Sequence, residues 1–285
     1  MSLEQVDQLR LMLLARRGET ATIAERRARF EAQMAAVPLP PDVIFAPAKQ
    51  GGLWVDAPSS RADRVLLWLH GGAFVLGSAQ SYRGLGAGIA RASGCRVLLL
   101  DYALAPEHPF PAGLDDTLAA LEGMISTGAT VAIGGDSAGG NLAVAAVQAR
   151  LDEGKSAPAA VWLVSPYLDL THAGATVATR APLDPFVDPA TMPMTAATYL
   201  GAHDPADPRA SPLFGTTEGF PPTLIQVGSD EVLFDDSRRF AARLTDCCFQ
   251  EWIGMIHVWP LFAGRIDEAE WAIAQGGAFL RRQML

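Results

Sequence analysis

The chain has 285 residues, of which 49% are hydrophobic, enough for one large hydrophobic core. Its formal net charge of −9 argues against nucleic acid or an anionic membrane surface as a partner, because both would repel it. Three cysteines, two of them adjacent, supply neither a disulfide framework nor metal-ligand spacing, so we expect no metal and a cytoplasmic location.

Residues 1–36 are predicted to form two helices with a break near Gly18. Residues 22–25 (Thr-Ile-Ala-Glu) have the pattern of a capping box for the second helix. The apolar run at 11–15 is too short for a signal-peptide core or a membrane span, so no anchor is expected. Basic side chains of the second helix are interpreted as a solvated face: Arg26, Arg27 and Arg29.

Residues 65–69 (Val-Leu-Leu-Trp-Leu) predict a buried strand of a parallel sheet, because they are short and wholly apolar. His70, Gly71 and Gly72 follow directly, and adjacent glycines after a strand expose backbone N–H groups. Negative charge develops on a carbonyl oxygen during acyl transfer, and each donor already aimed at that oxygen contributes roughly 3–4 kcal/mol. Gly71 and Gly72 are therefore predicted oxyanion donors, the alternative being a plain turn that ends the strand.

Apolar strands and helical runs alternate from residue 43 onward. The clearest segments are 95–101, 114–125, 130–134, 142–151 and 159–164. This alternation predicts an α/β fold, with a mostly parallel central sheet and helices on both faces. Residues 86–91 have only a faint likeness to a dinucleotide-binding loop, since no strand directly precedes them, and no cofactor is expected.

Residues 135–139 (Gly-Asp-Ser-Ala-Gly) stand between the predicted strand 130–134 and the helix-forming run 141–150. This context is typical of a nucleophile elbow, in which a serine occupies a sharp strand-to-helix turn and glycines leave room around it. Ser137 is the predicted nucleophile, and the N–H of Ala138 is the third predicted oxyanion donor. A glycine-rich turn in some other doubly wound protein is the alternative, which the glycine pair after the earlier strand disfavours.

A serine hydroxyl needs a base that takes its proton, and the base is usually a histidine oriented by a carboxylate. Of the five histidines, His257 is favoured because it follows the predicted strand 247–253 and a Gly-Met turn late in the chain. The other histidines are assigned to turns and loops: His70, His108, His172 and His203.

The orienting carboxylate should follow a strand between the serine and the histidine. Asp230 comes just after the predicted strand 222–228 and is the candidate. Glu231 is its neighbour, but its side chain is expected to point elsewhere. Asp235 and Asp236 are expected a turn or more into the following helix, where acidic residues usually serve solvation and the helix dipole.

Three motifs together resemble the hormone-sensitive-lipase-like α/β-hydrolases, the bacterial family IV carboxylesterases. They are residues 70–72, 102–112 and 135–141, and the resemblance covers most of the chain. Segments 228–236 and 254–260 resemble the branch labelled monoterpene ε-lactone hydrolase. The chain departs from the family at Ala73, where many members have a third glycine, and we expect this to alter the shape of the pocket.

The resemblance implies an α/β-hydrolase fold with a helical cap. The core would comprise residues 42–168 and 213–285, while 1–41 and 169–212 would form the cap over the pocket. The family's catalytic and oxyanion positions fall on the residues chosen above: Ser137, Asp230, His257, Gly71, Gly72 and Ala138.

These roles predict a serine hydrolase that cleaves short- to medium-chain carboxylic esters, or lactones, through an acyl-enzyme. Expected pocket walls adjoin the catalytic residues in sequence: Phe74, Val232, Leu233 and Trp259. An amidase or aryl-formamide hydrolase would use the same residues, and a non-catalytic small-molecule receptor on this fold is a further alternative. The sequence leaves the oligomeric state open, a homodimer included.

Overall fold

The computed structural model of the chain describes residues 3–15 and 21–285. Within these residues a single sheet contains β1 (Ile44–Pro47), β2 (Leu53–Asp56), β3 (Arg61–Leu69), β4 (Cys95–Leu100), β5 (Thr130–Asp136), β6 (Val161–Val164), β7 (Thr223–Gly228) and β8 (Cys247–Trp252). The strand order is β1-β2-β4-β3-β5-β6-β7-β8. β1 and β2 pair antiparallel with each other, as do β2 and β4, and all other neighbours pair parallel.

The helices in this part of the chain are α1 (Leu3–Leu14), α2 (Ile23–Ala35), α3 (Arg83–Ser93), α4 (Ala112–Ile125), α5 (Ala138–Asp152), α6 (Thr176–Thr179), α7 (Met192–Leu200), α8 (Phe234–Ala241) and α9 (Asp267–Gln283). Short 3₁₀ helices span Pro212–Phe214 and Trp259–Phe262. The capping box predicted for α2 is confirmed by reciprocal bonds between Thr22 and Glu25. The predicted break near Gly18 lies outside the described residues. None of the described helices is long and apolar enough to cross a membrane.

Hydrophobic cores lie on both faces of the sheet, as the alternation of strands and helices predicted. Successive side chains of a strand point to opposite faces, so Leu67 of β3 packs with Leu142 of α5 on one side. Its neighbour Leu66 belongs to the core on the other side, with Ile89 of α3 and Ile273 of α9. The fold is therefore the predicted α/β arrangement, with helices covering both faces.

The predicted motifs meet at one edge of the sheet. The strands β3, β5, β7 and β8 all run in the same direction, so their carboxyl ends lie at the same edge of the sheet. β5 continues through Asp136 and α5 begins at Ala138, which leaves Ser137 alone between strand and helix. This turn is sharper than predicted, because the strand was expected to end at 134 and the helix to begin at 141.

Gly276 of α9 provides a test of how the last helix packs on the sheet. A Cβ atom at this position would lie 2.0 Å from the Trp162 ring of β6. We expect Gly276→Ala to lower the free energy of unfolding by about 1–3 kcal/mol, because the buried ring or the helix must shift. The measurement is urea denaturation followed by circular dichroism.

The matched control is Gly123, a helical glycine of α4 with nothing within 4 Å of its Cβ position. Gly123→Ala should raise the free energy of unfolding by about 0.5–1 kcal/mol, because alanine restricts the unfolded chain. Equal stability of the two variants would contradict the packing of α9 described here.

Candidate active site

Ser137 occupies a strained turn between β5 and α5, with φ of 51° and ψ of −118°. Glycines make this turn sterically accessible: a Cβ at Gly139 would lie 1.9 Å from the carbonyl oxygen of Leu69, and Gly135 is similarly crowded. The Ser137 N–H donates to the carbonyl oxygen of Val164 at 3.0 Å, which ties the turn to β6. The turn therefore holds the serine hydroxyl at the carboxyl edge of the sheet.

The His257 ring bridges Ser137 and a buried carboxylate. Its Nε2 lies 3.0 Å from Ser137 Oγ, and its Nδ1 lies 2.6 Å from Glu231 Oε2. Serine, histidine and glutamate thus form a continuous hydrogen-bonded chain at the ends of β5, β8 and β7. This arrangement can move a proton from a hydroxyl to an imidazole that is held in one tautomer.

Glu231 is fully buried, and both of its oxygens are hydrogen-bonded. While Oε2 faces the histidine, Oε1 accepts from Ser165 Oγ at 2.8 Å and from the Gly228 N–H at 2.6 Å. The Ser165 hydroxyl oxygen also accepts the N–H of Val258, next to His257, at 3.1 Å. A buried carboxylate requires such partners, and here they also fix its orientation.

The sequence-based choice of Asp230 as the orienting carboxylate requires correction. Asp230 Oδ2 pairs with Arg10 Nη2 at 2.5 Å, and its Oδ1 accepts from the Ser229 hydroxyl at 2.6 Å. β7 ends at Gly228 and the next two residues form a turn, so the chain has changed direction before Glu231. The turn directs Glu231 toward His257, whereas counting residues from the strand end favoured Asp230.

The other acidic candidates also have partners away from His257. Asp235 pairs with Arg238 of its own helix at 2.9 Å. Asp236 accepts the backbone N–H groups of Leu168 and Asp169. Asp235 Oδ2 also accepts the Thr176 N–H at 3.2 Å, so both side chains fasten α8 to the segment that follows β6.

Gly71 also departs from its predicted role, because its N–H is already used. It donates to Tyr82 Oη at 2.9 Å, and the Tyr82 hydroxyl donates in turn to Asp136 Oδ2 at 2.7 Å. An N–H that is engaged in this way is not free to bind an oxyanion.

Three backbone N–H groups near Ser137 remain available. Those of Gly72, Ala73 and Ala138 make no hydrogen bond to any residue in 3–15 or 21–285. Gly72 has a φ of 114° and Ala73 a φ of 54°, so this turn has the unusual backbone expected where N–H groups are aimed outward. The departure from a third glycine at Ala73 was the sequence signal that could have drawn attention to this N–H group.

Charge around His257 favours its protonated form. Burial alone would lower the pKa of His257, but the hydrogen bond and charge of Glu231 outweigh it, with further help from Asp184 and Asp136. The net pKa of His257 is therefore raised above 6.5. Burial raises the pKa of Asp136 to about 7, despite its bond from Tyr82.

A cavity of about 160 Å³ opens over Ser137. Most of its walls are apolar, and they come from α2, from the start of α7 and the segment before it, and from the loops of the sheet edge; they include Phe30, Leu76, Phe186, Val187, Met192, Leu233 and Leu261. Asp188 and Arg26 also line it. The cavity thus joins a polar floor, which holds the serine and the histidine, to an apolar enclosure.

Of the four predicted pocket walls, Leu233 lines the cavity. Phe74 is buried elsewhere, stacked on Tyr199 with ring centroids 3.7 Å apart. Val232 and Trp259 are likewise buried, and neither lines the cavity. Adjacency in sequence to a catalytic candidate does not determine which way a side chain points, and these three belong to the core.

The sequence suggested that the basic face of α2 is solvated, but in the structure two of its arginines contact other parts of the chain. Arg27 donates to the carbonyl oxygens of Val75 at 2.7 Å and Ala105 at 2.9 Å, and it pairs with Glu107. Arg26 lines the cavity. This helix is therefore fastened to the loop that follows β3, next to the available N–H groups.

Comparison with known proteins identifies the family of the chain. The model of the alpha/beta hydrolase fold family matches residues 66–261. An acetyl-hydrolase from Streptomyces hygroscopicus is 42% identical over 250 residues, which cover 85% of this chain and 83% of that protein. A crystal structure of an esterase from the bacterial hormone-sensitive lipase family has a TM-score of 0.95 at 40% identity, covering 99% of both chains. EstE5, in crystals soaked with p-nitrophenyl butyrate, has a TM-score of 0.93 at 36% identity over 98% of both chains.

Replacing each acidic neighbour in turn tests which one orients His257. We expect Glu231→Gln to lower kcat for p-nitrophenyl acetate by about 10⁴, because an amide permits the wrong histidine tautomer. Asp230→Asn should cost no more than about tenfold, because the Glu231 carboxylate that holds the His257 tautomer is still present. A reversed order of the two losses would restore Asp230 to the role.

The raised pKa of His257 predicts the pH dependence of the reaction. His257 must be neutral to accept the serine proton, so kcat/KM should fall as the pH drops through a midpoint above 6.5. Glu231→Gln removes the principal charge that raises this pKa, and the residual activity should therefore have its acid limb at lower pH. An unmoved limb would assign the titration to another group.

Proposed function

The chain belongs to the hormone-sensitive-lipase-like esterases of the α/β-hydrolase fold, and we propose that it hydrolyses esters by a serine mechanism with Ser137, His257 and Glu231 as its triad. The observation that carries this proposal is the hydrogen-bonded chain from Ser137 Oγ through both ring nitrogens of His257 to Glu231. The fully buried carboxylate stabilises the imidazolium that forms when the ring takes a proton.

In the proposed acylation step, Ser137 Oγ attacks the ester carbonyl carbon while His257 Nε2 accepts the hydroxyl proton. Negative charge moves to the carbonyl oxygen, which the N–H groups of Gly72, Ala73 and Ala138 stabilise. The tetrahedral intermediate then collapses, and the leaving alcohol takes the proton from His257. The acyl group remains on Ser137 as an ester.

Deacylation repeats these steps with water as the nucleophile. His257 takes a proton from the water, which adds to the acyl carbon, and the same three N–H groups stabilise the second oxyanion. His257 then returns the proton to Ser137 Oγ as the carboxylic acid leaves. Glu231 holds the ring in position throughout.

The size of the cavity favours small acyl groups. Its volume of about 160 Å³ is well below the roughly 300–1,000 Å³ typical of sites for drug-sized ligands. Apolar walls suit a short alkyl chain, since each buried methylene contributes about 0.8 kcal/mol. We therefore propose short-chain carboxylic esters as substrates, a class that agrees with the acetyl-hydrolase and p-nitrophenyl butyrate of the relatives.

Lactones belong to the same proposal, because a cyclic ester presents the same carbonyl carbon to Ser137 and keeps its leaving alcohol tethered. Residues 1–41 and 169–212 are proposed to form the cap. This assignment is supported by cavity walls contributed by Phe30 of α2 and by Phe186 and Met192 of the second segment. The cap excludes water from the acyl group and so strengthens the electrostatic interactions below it.

Removing the hydroxyl of Ser137 tests the mechanism. Ser137→Ala should lower kcat for p-nitrophenyl acetate by about 10⁶ with an unchanged circular dichroism spectrum, because the side chain borders a cavity and its loss leaves packing intact. Phenylmethylsulfonyl fluoride should modify the parent once, on the peptide containing Ser137, and should not modify the variant.

The control is Ser126→Ala, an exposed serine at the end of α4 whose hydroxyl bonds to Gly123. It should keep the activity and labelling of the parent. Hydrolysis by Ser137→Ala within tenfold of the parent, or a label on another residue, would remove Ser137 from the nucleophile role.

A further inference from the structure

We propose that Arg10 of α1 is a positioning residue, which holds the loops that carry Glu231 and His257 in register with each other. This inference rests on the triad proposed above. Arg10 itself does not line the cavity, so its action is indirect. The contacts of its guanidinium group carry the argument.

The guanidinium of Arg10 joins three separate segments of the chain. Its Nη2 donates to Asp230 Oδ2 at 2.5 Å and to the Gly254 carbonyl oxygen at 2.8 Å. Its Nη1 donates to the Leu183 carbonyl oxygen at 2.7 Å. The side chains of Arg10 and Asp230 are only 19% and 23% exposed, so these charge-assisted bonds are partly protected from water.

Two of these acceptors lie beside the triad. Asp230 directly precedes Glu231, and Gly254 stands three residues before His257. The same two loops are also hydrogen-bonded to each other without Arg10. The Ser229 hydroxyl oxygen accepts the Gly254 N–H at 2.8 Å, and the Ser229 hydroxyl donates to Asp230 Oδ1 at 2.6 Å. Arg10 closes this small network from outside, with its positive charge facing the Asp230 carboxylate.

The third acceptor belongs to the segment that supplies cavity walls. Leu183 precedes Asp184, which accepts the N–H of Val232 at 3.0 Å, and those of Phe186 and Val187 at 2.8 and 3.0 Å. These three bonds hold the walls independently of Arg10. Loss of Arg10 is therefore expected to disturb the approach of Glu231 to His257 more than the binding of substrate.

A second arginine limits the size of the effect. Arg180 donates to the Ser229 carbonyl oxygen, and its guanidinium lies 3.8 Å from the Phe234 ring centroid. It holds the same loop from the other side and remains in place when Arg10 is replaced. We therefore expect a partial loss of kcat, rather than the collapse expected on removing Glu231.

The experiment compares Arg10→Ala, Asp230→Asn and the double variant with the parent. Active sites are first counted by titration with a p-nitrophenyl phosphonate, which reacts with the nucleophilic serine, so that kcat refers to competent molecules. Each single variant should lose about tenfold in kcat for p-nitrophenyl acetate, with KM within twofold of the parent. The double variant should lose little more than either single variant, because the two side chains act through one contact.

The control is Arg61→Ala, which breaks a bidentate pair with Asp63 on the exposed start of β3. It should keep the kcat and KM of the parent. The inference is overturned if Arg10→Ala keeps kcat within twofold, if its loss lies in KM or in the number of titrated sites, or if the two losses multiply. A parent protein with no titratable serine and no turnover would instead overturn the proposed function.

Discussion

The left-handed backbone of Ser137 is the constraint around which the site is built. A non-glycine residue in this conformation costs about 1–3 kcal/mol, and it persists only where the surrounding structure enforces it. Here β5 and α5 meet at this one residue, with Gly135 and Gly139 pressed against neighbouring backbone. The helix and strand are both deeply buried, so the hydroxyl is held at a fixed point that the other loops can approach.

Each approaching loop is held by a buried polar partner. The Tyr82 hydroxyl oxygen accepts the N–H of Gly71 and so holds the turn in which the N–H groups of Gly72 and Ala73 have no partner among the described residues. Ser165 serves two loops at once, since its hydroxyl donates to Glu231 and its oxygen accepts from Val258. The network around Glu231, in which both carboxylate oxygens have partners, favours one arrangement of the loops, because another would leave buried polar atoms without partners.

Arginines fasten the segments that cover the cavity to the catalytic edge of the sheet. Arg27 reaches the loop after β3, while Arg10 and Arg180 reach the loop after β7. All three guanidinium groups donate to backbone carbonyl oxygens. Those of Arg27 and Arg10 also pair with a carboxylate, and that of Arg180 lies over an aromatic ring. A planar guanidinium can bridge several such acceptors at once, which an ammonium group cannot do with the same geometry. These arginines therefore connect the segments around the cavity with the loops that carry the proposed triad.

Local pattern was sufficient to predict the parallel strands of the sheet, the turn at Ser137 and the proximity of His257 to Ser137. Apolar runs must be buried, and a glycine-flanked serine between strand and helix has few other conformations. The choice between Asp230 and Glu231 depended on a two-residue turn and on a partner, Arg10, that lies more than two hundred residues away in the chain. Likewise, the Gly71 N–H donates to the hydroxyl of Tyr82, the residue that precedes α3, and this contact was not predictable from sequence spacing. Sequence spacing determines which residues reach the edge of the sheet, whereas the direction of each side chain there depends on contacts that only the folded chain brings together.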